Sequence, residues 1–184
     1  MEDASRGVYS HRFPRFGDDG REEEQDAWLI GGASNVGCAV LRQEGFSDEE
    51  LIALSGEIDP NSDSSLSYYP LMKKGERFPV ADSSKEPMLD PKPDSRMEYL
   101  HGILQAIGDV ERDGFEVLGE LGASPNLPKI VLSCGGGSKN DMWINMRERR
   151  LKVICDEGQQ VEVKRAENTE ASYGAALLAA ASFE

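Results

Sequence analysis

The tract Cys134-Gly135-Gly136-Gly137-Ser138-Lys139-Asn140-Asp141-Met142-Trp143 gathers the residue types in this chain best suited to chemistry. Three consecutive glycines let the backbone adopt positive φ and let a flat or charged ligand approach the main chain without meeting a Cβ. Gly136 is expected to need one of the two, so a branched side chain there should harm fold and binding together. Asn140 can donate to and accept from a base or a ribose, and the Trp143 indole has a face on which a purine can stack. A helix starting after the glycines would offer unpaired N–H groups to an anion, with Ser138 as its N-cap. This set suits a nucleotide; a structural strand-to-helix turn uses glycine as well, so the triplet alone leaves both readings open. Ser138 and Cys134 are nucleophiles in type, yet no histidine lies near them in sequence to act as a base, which argues against a hydrolase. No catalytic residue and no metal site is assigned. His11 and His101 stand alone and read as structural, and Cys38, Cys134 and Cys155 form no C-x-x-C pair.

The elements around this tract must place it. Val131 to Cys134 suit a buried strand running into the glycines, and Met142, Met146 and Arg149 keep helical spacing after them. A second unit of the same kind precedes it: Ala27-Trp28-Leu29-Ile30 runs into Gly31-Gly32-Ala33-Ser34-Asn35, and Val36, Val40 and Leu41 follow at helical spacing. Ser47-Asp48-Glu49-Glu50 is a capping box that starts a helix. Residues 66–93 hold five prolines and several serines, which predicts a long ordered loop; its charged cluster Lys73-Lys74-Gly75-Glu76-Arg77 is a candidate for function. Met97, Leu100, Leu104, Ile107 and Val110 predict the longest helix, with a bend at Gly114 and a cap at Gly122. After a helix to about Arg150, the apolar runs 151–155 and 161–163 predict two short strands or one interrupted strand. A final alanine-rich helix should begin near Thr169, with Gly174 placed for close packing. Strand and helix alternate through the second half, which predicts an α/β domain with right-handed crossovers.

Composition bounds the partners. At 184 residues and 39% hydrophobic the chain can bury one sizeable core. Its net charge of −14, with no basic stripe, argues against nucleic acid as a partner. No apolar run approaches bilayer-spanning length and the opening Met1-Glu2-Asp3 is acidic, so a soluble chain without a membrane partner is expected. Scattered cysteines fit a reducing compartment. Residues 1–26 read as a lead-in strand followed by an acidic loop at 17–26, and residues 27–184 as one domain.

Four ordered segments together resemble the C-terminal half of the FGGY carbohydrate kinases: Gly31 to Asn35; Tyr69-Pro70-Leu71 with Gly75 to Pro79; the Gly135 to Asn140 turn with Trp143; and Glu170-Ala171-Ser172-Tyr173-Gly174-Ala175-Ala176. Within that family the chain is most similar to small plant and cyanobacterial pentulose kinases of the D-ribulose or xylulose type. The resemblance implies a ribonuclease-H-like, actin-like ATPase fold, lacking its first strands, with ATP or ADP bound between two domains and Mg2+ carried by the nucleotide. It implies that Gly135, Gly136 and Asn140 contact the adenosine, that Trp143 walls the adenine, and that Gly32, Ala33 and Ser34 lie along phosphates and ribose. It also implies γ-phosphoryl transfer to a pentulose, D-ribulose first, with the catalytic base and sugar contacts in an N-terminal part that has no counterpart in these residues. The 17–26 loop and the 153–162 stretch look longer than the family's connections. A soluble setting, cytoplasmic as the chain stands or plastid if a longer parent carries a transit peptide, is the matching expectation. The alternative is a non-catalytic module that binds a nucleotide or a protein.

Overall fold

The computed structural model describes residues 2–13 and 27–181, so the acidic loop expected at 17–26 lies outside the described residues. Among these residues nine strands and α-helices follow one another: β1 (Val8–Phe13), β2 (Ala27–Gly32), α1 (Ala39–Gln43), α2 (Asp48–Ser55), α3 (Arg96–Glu120), β3 (Ile130–Ser133), α4 (Asp141–Lys152), β4 (Glu162–Arg165) and α5 (Ala171–Ala181). The architecture is mixed α/β. β1 and β2 pair antiparallel from Val8↔Gly32 to Phe13↔Ala27, so the lead-in strand belongs to the same sheet as the first glycine turn. β3 and β4 pair parallel, Val131 opposite Val163, and α4 is the crossover between them, as parallel strands require. Among the described residues these are two separate two-stranded sheets.

α3 organises the rest. Ser95 caps it by accepting from the Glu98 N–H, and Gly122, at φ 90°, ends it in the left-handed conformation that glycine adopts without strain. The helix runs unbroken through Gly114. That glycine serves packing: a Cβ there would lie 2.7 Å from Phe78 Cε1. Leu100, Ile103 and Leu104 of α3 meet Val40, Leu41, Phe46, Trp143 and Met146 in the main core. A smaller core of Leu127, Val131, Leu151, Val161 and Val163 lies between α4 and the β3–β4 pair.

The capping box at Ser47 is present in full, with Ser47 Oγ accepting from Glu50 N–H and the Glu50 carboxylate accepting from Ser47 N–H. Residues 56–95 contain no helix or strand, as their prolines predict, and are ordered by isolated bridges such as Tyr69↔Met88. Three expectations are corrected. The helix after the first glycine turn starts at Ala39, because Val36 is drawn into a bridge with Leu71. The 151–155 run is not a strand: α4 continues to Lys152 and its turns wind on, Ile154 N–H donating to Leu151 O at 3.1 Å, because Leu151 and Ile154 pack into the small core. Gly174 is not closely packed, since a Cβ there would meet nothing within 4 Å, and α5 leaves Leu177 53% exposed.

Candidate nucleotide site

The two glycine turns face each other across a cavity of about 650 Å³, within the roughly 300–1,000 Å³ range of small-molecule sites. One wall comes from the end of β2 and the turn after it, with Gly31, Gly32, Ser34 and Val36. The opposite wall comes from the end of β3 and its turn, with Cys134, Gly136, Gly137 and Ser138. α3 forms the floor through Ile107, Val110 and Gly114. Gly32, Ser34, Gly136 and Trp143, singled out from sequence, thus line one space.

The first turn is held by a buried carboxylate. Glu76 is 3% exposed and accepts from Ser34 Oγ at 2.8 Å, Asn35 N–H at 2.7 Å, Arg77 N–H at 2.8 Å and Tyr69 Oη at 3.1 Å. Its desolvation is offset by four donors, which is how a buried charge becomes tolerable. Burial first, and the Glu76 charge second, push the Tyr69 phenol well above its usual range, so it stays a donor. The Asn35 side chain adds a bond to Gly75 O at 2.9 Å. Phe78, from the same loop, is wedged between the two sides: a Cβ on Gly32 would lie 2.3 Å from its ring and one on Gly114 2.7 Å. Both positions are glycine because an aromatic ring occupies the space.

The second turn is built differently from expectation. Gly135 has φ 81° and needs to be glycine for its conformation. Gly136 does not have positive φ, and a Cβ there meets nothing within 4 Å; the expected harm to the fold from a branched residue is therefore corrected to harm at the cavity alone. Gly137 carries the packing constraint, its notional Cβ lying 2.4 Å from Trp143 Cζ3 and 3.1 Å from Cys38 Sγ. Ser138 is not the N-cap of α4. It is 2% exposed and donates its hydroxyl to Gly135 O at 2.7 Å, locking the turn and removing it as a nucleophile. Asn140 is the cap: its Oδ1 accepts from Trp143 N–H at 3.1 Å and its Nδ2 donates to Ser55 Oγ at 2.8 Å. Both ends of its amide are engaged within the protein.

Trp143 is 6% exposed and its Nε1–H donates to Leu104 O at 3.0 Å. With Gly137 against its benzo edge and the Arg147 guanidinium 5.1 Å from its ring, it acts as a wall, not an open platform. Arg147 adds what the sequence did not point to: it donates to Ser133 Oγ and to Glu111 Oε2, the latter at 2.7 Å, placing an ion pair between α4 and α3 at the cavity lining. Its only signal was a basic residue at a helical position facing the core, which composition alone does not distinguish from a solvated one. Burial pushes the Cys38 thiol, also on the lining, up from its usual value. The open side of Gly136 and the exposed main chain at Gly135 are the features that fit a nucleotide approaching the backbone. No group of His, Cys, Asp or Glu among the described residues could hold a metal ion. No helix among them is long and apolar enough to cross a membrane.

No protein-family model matches the sequence. Among solved structures the chain is similar to a xylulose kinase from Brucella ovis, with a TM-score of 0.62 and 17% identity over 98% of the chain. The chain spans 35% of that protein's length. At this identity the likeness is one of fold: the chain is folded like part of a sugar kinase.

Proposed function

We propose that this chain is the ATP-binding half of a carbohydrate kinase of the FGGY type, with the nucleotide seated against the second glycine turn and Mg2+ carried by it. The observation that carries the reading is the meeting of Gly32, Ser34, Gly136 and Trp143, from segments far apart in sequence, on one cavity in a sugar-kinase-like fold. In this reading the ribonuclease-H-like arrangement supplies two backbone turns for phosphates and adenosine. Gly135 and Gly136 offer main chain to the adenosine, Gly32 and Ser34 lie toward the phosphates, and Asn140 acts chiefly by capping α4 behind the turn. Phosphoryl transfer needs an acceptor hydroxyl in line with the γ-phosphate beside a base and a metal ion. Glu76, buried and with its four donors, is not free to serve as that base. In this reading the base and sugar contacts come from a segment outside these residues, and the acceptor is a pentulose, D-ribulose first.

Calorimetric titration of ATP and ADP into wild type and Gly136→Val tests the site. The substitution points into open space, so the expected result is a thermal midpoint close to wild type with at least about a tenfold loss of affinity, equivalent to about 1.4 kcal/mol. Equal heats for both proteins would overturn the assignment. ADP release on D-ribulose and D-xylulose, by the chain alone and with the N-terminal half of a similar kinase, tests the reaction. Turnover only in the second case is expected. A second reading, a non-catalytic nucleotide- or protein-binding module, is favoured if nucleotide binds but the pair gives no turnover.

A further inference from the structure

His101 lies where α3, α4 and the 59–64 loop meet. It is 8% exposed, and its Nε2 has no hydrogen-bond partner. The Ser62 backbone lies beside the ring and favours a ring N–H directed toward it. A neutral imidazole can leave Nε2 as an unused acceptor at moderate cost, but a protonated one would bury an N–H donor and a charge with nothing to receive them. Bonds from the loop tie it to the same two helices: Arg149 donates to Pro60 O at 2.8 Å and to Ser62 O at 2.9 Å, Asp63 pairs with Arg149 at 2.7 Å and Arg150 at 3.0 Å, and Ser64 N–H donates to Gln105 Oε1 at 2.8 Å. The loop is also continuous with the end of α2. Ile58 N–H donates to Ser55 O, and Ser55 Oγ accepts from Asn140, the cap behind the second glycine turn.

We propose that His101 is a proton-sensitive latch. Neutral, it lets the 59–64 loop close over α3 and α4; protonated, it opens the loop and loosens the α2 end that holds Asn140. The charged groups facing the ring are Arg149 from α4, which opposes protonation, and Asp63 and Asp59 from the loop, which favour it. Burial is the largest influence and sets the net direction against the charged form. The sign follows: stability is full above the ordinary histidine value of about 6.5 and falls as pH drops from there through the lower value of the folded state.

The test is clean because the chain's other histidine, His11, is exposed on β1. Thermal midpoints of wild type and His101→Gln between pH 5 and 8 should diverge below pH 6.5, with the wild-type midpoint falling by about 2 °C more than that of His101→Gln. Parallel profiles would overturn the latch. Should His101→Gln fail to fold, NMR titration of wild type decides alone. The His101 ring, assigned against His11→Ala, should titrate below the ordinary histidine value of about 6.5, and the Asn140 side-chain amide and Ser55 signals should move with the His101 midpoint. A His101 midpoint at or above about 6.5, or Asn140 and Ser55 signals that ignore it, would overturn the proposal. Neither readout requires nucleotide, so the latch and the ATP site stand or fall separately.

Discussion

Two neighbouring glycines in the second turn behave oppositely, and the contrast shows how little a residue type says without its surroundings. Gly136 borders open space, whereas Gly137 abuts the buried Trp143 ring at 2.4 Å from its notional Cβ. Gly137→Ala is therefore expected to destabilise by about 1–3 kcal/mol through overpacking, measured by urea unfolding, while Gly136→Ala stays within about 0.5 kcal/mol of wild type. Glu76 makes the sharper case. Glu76→Ala strands the Ser34, Asn35, Arg77 and Tyr69 donors in a nearly closed site, with an expected loss of about 3 kcal/mol or more. Amide proton signals of 33–36 should broaden on that substitution if the carboxylate holds the first turn; unchanged signals would assign the turn to other contacts.

At the scale of elements, the long α3 is a scaffold whose glycines record what packs on it. Gly114→Ala would gain about 1 kcal/mol of helix propensity on an exposed helix, but here the added methyl meets Phe78, itself pinned against Gly32. Net destabilisation is expected, and Phe78→Ala should cost about 3–5 kcal/mol because the wedge between loop, turn and helix is removed. When Gly114→Ala is combined with Phe78→Ala the glycine penalty should vanish, so a coupling energy near zero in the unfolding cycle would refute the wedge. α4 ends differently: its last turn runs into the 153–155 stretch because Leu151 and Ile154 find partners in the small core. Apolar residues at 151–155 look the same whether a helix end or a strand buries them.

For the molecule as a whole, the large apolar side chains left exposed are as informative as the core. Leu132 is 63% exposed on β3, Trp28 and Leu29 are exposed on β2, and Tyr173 and Leu177 on α5. Among the described residues, two separate two-stranded sheets with exposed apolar side chains are marginal by themselves and offer surface for association. The net charge of −14 opposes contact between copies, and salt screens that repulsion over about 10 Å at 0.1 M. Sedimentation velocity should show association rising between about 0.02 and 0.5 M NaCl, and Leu132→Lys should reduce it; association falling with salt would show that charge pairs drive it.

The capping box at Ser47, the long helix through Met97 to Val110, its glycine end and the strand–turn–helix at Val131 to Trp143 were legible in the sequence, because caps, glycines and helical periodicity act over a few residues. The residues meeting on the cavity were nameable through resemblance. Tertiary structure alone decided that Asn140 and not Ser138 caps α4, since Ser138 turns inward to Gly135 once the turn closes. It alone joined Glu76 to Ser34 and Asn35, Arg147 to Glu111, and His101 to the 59–64 loop. These pairs lie across the chain, and a polar residue's partner is chosen by where folding leaves it, which local spacing does not encode.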